Sequence, residues 1–111
     1  MLPPPPDVRK ERGPATVIPQ RERVTYLVHL SEVIASVKQL ATAFAMVDGY
    51  MVLNVIPKGQ GAARTIGCRY VGRSGEWWFY DVRSDEYIRP ANDLRGAADH
   101  LLTQMGLVAA A

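Results

Sequence analysis

The chain has 111 residues, 48% of them hydrophobic and 22% charged, which bounds it to one small domain and excludes wholesale disorder. Its net charge is only +2, and that surplus lies in residues 1–23, with the remainder of the chain neutral. A weakly basic arm permits contact with an acidic partner without demanding it.

Residues 1–23 are expected to form a disordered, basic, proline-rich tail, and residues 24–108 a single α+β domain. Pro3–Pro6 favours an extended polyproline conformation, and Pro14 and Pro19 are placed to interrupt a helix. Met1-Leu2 runs directly into those prolines with no apolar core, so no secretory signal is expected. Val24–Leu30 alternates apolar and polar residues as a strand does, and Ser31 with Glu32 then caps a helix from Glu32 to Val47. Tyr26, Leu30, Val33, Val37, Leu40, Phe44 and Val47 also recur at spacings of four and three, so one helix starting near Thr25 is the alternative. In both readings the helix runs on from Val33, and Asp48-Gly49 closes it.

Strands are expected at Tyr50–Ile56, at Arg64–Val71 and across Glu76-Trp77-Trp78-Phe79-Tyr80-Asp81-Val82, with a short fourth at Tyr87–Arg89. Glycine-bearing connections join them, which predicts an antiparallel meander. Gly67 weakens its strand unless a large neighbour, such as a tryptophan across the strand, leans over it. After Pro90, Asn92 caps a final helix whose Leu94, Ala97, Ala98, Leu101, Leu102 and Met105 form one apolar stripe, closed by Gly106. The fold class is therefore α+β: a three- to four-stranded antiparallel meander, a long helix before it and a capped amphipathic helix after it.

The aromatic strand organises the rest. Trp77 and Phe79 leave one face of the sheet, and Trp78, Tyr80 and Val82 the other. With both helices on one side, the second aromatic face stays open, and self-association or a protein partner is the economical way to cover it; helices on opposite faces are the alternative.

Other chemistries find little purchase. Gly59-Gln60-Gly61 has Arg64 where a dinucleotide fingerprint needs a third glycine, and a strand follows it. His29, His100 and Cys68 lack the spacing of metal ligands, and Asp81, Asp85 and Glu86 have the look of a solvated turn. Cys68 shares a strand face with Ile66 and Tyr70, as a small core residue would, and no Gly-x-Ser-x-Gly elbow is present. A lone cysteine forms no internal disulfide, which suits a cytoplasmic setting. No catalytic residue, cofactor or metal is expected, and no apolar run is long enough to cross a membrane.

The expected role is a small non-enzymatic protein-interaction or adaptor domain. It would self-associate through the aromatic face, with Trp77, Trp78, Phe79, Tyr80, Arg69 and Arg83 as contact residues. The alternative is nucleic-acid binding through the hairpin 58–73, whose Lys58, Arg64, Arg69 and Arg73 carry no acid between them. Against it, residues 76–99 carry six acids and three arginines, much of that charge on the same sheet.

Overall fold

The computed structural model describes the backbone of residues 14–107 and the side chains of residues 20–107. Seven elements follow one another: α1 (Pro14–Ile34), β1 (Leu40–Val47), β2 (Tyr50–Pro57), β3 (Arg64–Val71), β4 (Glu76–Asp81), β5 (Tyr87–Pro90) and α2 (Leu94–Gln104). The five strands form one antiparallel sheet in the order β1-β2-β3-β4-β5. The α+β class and the meander are as the sequence predicts, with one more strand than expected.

The additional strand corrects the reading of residues 24–47. Val24–Leu30 belongs to α1, that helix ends at Ile34, and Leu40–Val47 is β1. Asp48-Gly49 is therefore a hairpin turn instead of a helix end. Both residues have positive φ, 53° and 83°, the type I′ geometry whose twist matches that of paired strands. The turn sets a full ladder from Val47↔Tyr50 to Leu40↔Pro57, and eight residue pairs formed together outweigh the helix propensity of three alanines.

The tail boundary moves as well. Residues 14–23 are the first part of α1, so the helix starts ten residues ahead of the expected domain edge at Val24. Proline is tolerated in a first helical turn because its missing N–H would find no partner there, which suits Pro14. Pro19, one turn further in, gives up its backbone donor without ending the helix. Residues 1–13, including Pro3–Pro6, lie outside the described residues.

Both helices pack on the same side of the sheet. Leu27, Leu30 and Ile34 of α1, spaced by three and four, meet Ala97, Ala98 and Leu101 of α2 and Leu53, Val55, Ile66, Cys68 and Phe79 of the strands in one core. The alanines give α2 a flat flank on which it can lie close to its neighbours.

Helix α2 is capped one residue later than Asn92 suggests. The Asp93 carboxylate accepts the Gly96 N–H at 3.0 Å. At the other end Gly106 takes φ 75°, and the N–H of Leu107 reaches the Leu102 carbonyl while that of Gly106 reaches Thr103, a Schellman closure. Replacing Asp93 with alanine is expected to cost about 1 kcal/mol, from the lost cap. Urea unfolding would show it as a lower midpoint at unchanged slope; an unaltered midpoint would mean that water replaces the cap fully.

Candidate interaction surfaces

The strand faces divide as the alternation predicts. Phe79 is fully buried beneath the helices, and Trp77 is half-buried on the same side, its ring 6.0 Å from that of Tyr26 on α1. Phe79 must therefore be withdrawn as a contact residue, since no partner can reach it while the core is intact. Trp78 and Tyr80 lie on the opposite face, which neither helix covers.

On that open face four side chains form a cluster. The Trp78 ring meets Tyr87 edge-on at 5.7 Å, and its indole N–H donates to Ser74 Oγ at 3.1 Å. The Arg69 guanidinium stacks over Tyr80 at 3.8 Å and reaches Tyr87 at 5.6 Å. Its Nη2 donates to Asp85 Oδ1 at 2.6 Å. Burial lowers the proton affinity of Arg69, hydrogen bonds to Asp85 and Tyr80 raise it, and the net shift is upward. Asp85 thus balances the charge of the cluster, and Arg69 is bracketed between that carboxylate and the Tyr80 ring.

Backbone geometry explains why Tyr80 can lie flat. Gly67 is directly opposite Tyr80 in the β3–β4 ladder, and a Cβ at Gly67 would come within 2.6 Å of the Tyr80 ring. The neighbour that shelters this glycine is therefore Tyr80, not a tryptophan. The ring fills the space that a side chain at position 67 would take, and Arg69 covers its other face.

A second group of aromatics surrounds Arg23, which lies in the segment expected to be tail. Strand β2 pairs with β3 over only three residues, Leu53, Asn54 and Val55, and then diverges from it. This deprives the Cys68 carbonyl of a ladder partner, and Arg23 Nε donates to it at 2.7 Å. The guanidinium also lies 4.5 Å from the Tyr50 ring and 5.5 Å from Trp77. Burial lowers its pKa, against the opposing pull of Tyr50, Cys68 and Tyr80. A cleft of about 650 Å³ opens beside it, lined by Glu22, Tyr26, Tyr70, Glu76 and Trp77 among others. Tyr70 is about half exposed and packs edge-on against Trp77 at 5.9 Å.

The structure does not gather the four cations of the 58–73 hairpin into one stripe. Arg64 turns to the helix side, 3.6 Å from Asp81 and within 3.4 Å of the Gln104 carbonyl. Arg69 faces the open side, neutralised by Asp85. Lys58 and Arg73 are exposed at opposite ends of β3, whose eight residues span about 26 Å at about 3.3 Å each. Arg83 is exposed in the β4–β5 turn, where its backbone N–H, not its side chain, is held by Asp81 at 2.9 Å.

Among the described residues, no group of three His, Cys, Asp or Glu side chains is placed to hold a metal ion, and no helix is long and apolar enough to cross a membrane. Cys68 is 1% exposed, and burial pushes its thiol up to about 12, the reverse of what a nucleophile needs.

Tyr87, Ser74 and Arg23 were not foreseen as site residues. Tyr87 follows a bulge between Phe79 and Tyr80, which shifts the face it occupies in a way that alternation along one strand does not reveal. Arg23 could have been found only by recognising that α1 starts before residue 24. No protein-family model, curated protein or solved structure matches this chain.

Proposed function

We propose that the protein is a non-enzymatic interaction module of the cytoplasm that self-associates through the open face of its sheet. Trp78, Tyr80 and Tyr87 are its aromatic anchors, and Arg69, fixed by Asp85, is its polar one. The observation that carries this reading is the placement of both helices on the other side, which leaves that cluster at the surface. Large aromatics and arginine are the side chains that most often dominate binding energy, and rigid ones lose little entropy on contact. The Arg69–Asp85 pair leaves the cluster without net charge, so two identical copies can approach without repulsion. Nucleic-acid contact through Lys58, Arg64, Arg69 and Arg73 draws no comparable support, because two of the four are already paired and the other two lie far apart.

Sedimentation across protein concentration tests the proposal. The double substitution Trp78→Ala with Tyr87→Ala is expected to weaken association through the open face by about 10- to 100-fold, the scale of losing hot-spot aromatics. The far-ultraviolet spectrum should stay unchanged, since neither side chain belongs to the core. Equal association of the parent and the double variant would rule out the open face as the contact.

A further inference from the structure

The two edges of the sheet are built differently. Strand β5 is four residues long, carries Arg89 and ends in Pro90, features that discourage pairing with another chain. Strand β1 has none of this protection. It is eight residues, Leu-Ala-Thr-Ala-Phe-Ala-Met-Val, without a charge, a proline or a glycine. Phe44 is 45% exposed and Met46 63%.

The hydrogen-bond phase of this edge is set where the strand begins. The Lys58 N–H donates to the Gln39 carbonyl at 2.8 Å, which makes Gln39–Lys58 a hydrogen-bonded pair. Such pairs alternate along an antiparallel ladder, so Ala41, Ala43, Ala45 and Val47 direct their backbone groups inward to β2. Leu40, Thr42, Phe44 and Met46 direct theirs outward. Leu40 agrees with this phase, because its N–H turns away from β2 to the Val37 carbonyl at 3.1 Å. Among the described residues, the backbone groups of Thr42, Phe44 and Met46 have no partner.

We propose that β1 pairs antiparallel with β1 of a second copy about a two-fold axis at Phe44, joining two five-stranded sheets into one of ten strands. The outward groups fit this register: Phe44 exchanges both backbone bonds with its counterpart, and Thr42 does so with Met46. Side chains on one strand face then meet across the axis, Phe44 on Phe44 and Thr42 on Met46. The charges flanking the strand select the occupant and its direction. Exposed Lys38 precedes β1 and exposed Asp48 follows it. Antiparallel pairing brings each lysine towards the aspartate of the other copy, whereas parallel pairing would set like charges side by side. The strand between them is neutral, so a second copy meets no repulsion there. This interface uses none of the open-face residues and does not depend on what that face binds.

The test is a charge swap in full-length protein whose open face has been removed by Trp78→Ala and Tyr87→Ala. In that background the chain is expected to sediment as a dimer, and the amides of Thr42, Phe44 and Met46 should exchange with deuterium more slowly as concentration rises. Phe44→Lys and Phe44→Glu each place like charges opposite one another at the axis and should weaken the dimer by about 100-fold. Each should keep its helical and strand signal, because Phe44 lies outside the core. An equimolar mixture of the two should restore the dimer, which a folding defect cannot explain. A mixture that stays monomeric overturns the proposal. So does a monomeric double variant whose parent associates, which places assembly on the open face alone. A dimer that forms only after residues 1–13 are deleted also overturns it, since that segment would then be the natural cover of the edge.

Discussion

Replacing Phe79 with alanine is expected to destabilise the protein by about 3–5 kcal/mol, a large share of the stability of a domain this size. Phe79 is the largest of the fully buried side chains and belongs to the core that joins both helices to the sheet. Removing its ring takes away contacts on every side and leaves a void that the flanking backbone cannot close, since β4 is hydrogen-bonded to β3 and β5 on both sides. Thermal and urea unfolding would register the loss as a sharply lower midpoint or as no cooperative transition at all. The comparison with Trp78→Ala is informative. Trp78 is one residue away and of similar chemistry, but it faces outward, and its loss should be felt mainly in association. Equal destabilisation by the two substitutions would mean that the open face is itself part of the core.

The second large effect is a dependence on alkaline pH. The Cys68 thiol is raised by burial from an ordinary 9.0 to about 12 in the folded protein. The thiol favours the folded state fully below pH 9, where both folded and unfolded chains keep the proton. Above pH 9 the unfolded chain ionises and the folded one does not, so stability falls until the pH passes about 12. Three units correspond to about 4 kcal/mol over that window, an order-of-magnitude figure. Tyrosine and lysine titrate in the same range, so the informative quantity is a difference. The stability of the parent minus that of Cys68→Ala should shrink steadily between pH 9 and 12, while remaining flat from pH 6 to 8. A difference independent of pH would show that the thiolate is accommodated without cost. Within the same picture, a thiol reagent at pH 8 should label the native protein only as fast as it opens.

Much of the architecture was readable from residue pattern, and the errors have physical causes. Helix α2 was clear because its apolar residues recur at helical spacing over three turns and no competing pattern overlaps them. The aromatic strand was clear because its turns fix its length, and alternation then assigned Trp78 and Tyr80 to one face and Phe79 to the other. Residues 40–47 were misread because two periods coincide there. Leu40, Phe44 and Val47 fit a helix, while Leu40, Thr42, Phe44 and Met46 fit a strand, and the intervening alanines favour the helix locally. What decides is a partner strand ten residues away, and local spacing carries no trace of it. Asp48-Gly49 reinforced the error, since a residue pair that tolerates positive φ serves helix ends and hairpin turns alike. At the candidate surface, the aromatic residues were visible but their grouping was not. Tyr87 joins Trp78 only through the bulged β4–β5 ladder, and Arg69 is silenced by an aspartate sixteen residues away.

The three-pair contact between β2 and β3 has a mechanical meaning. The sheet is two plates, the β1–β2 hairpin and the β3–β5 meander, joined along a seam much shorter than either plate is tall. Helix α1 touches β1, β2 and β3 and so acts as a splint across the seam, with Arg23 as a rivet at the point where the plates part. Thermal agitation should therefore let the hairpin swing as a flap, with amide exchange faster at the β2–β3 seam, and at the equally short β4–β5 ladder, than along β1–β2 or β3–β4. An edge carried on such a flap can adjust its angle to whatever it meets.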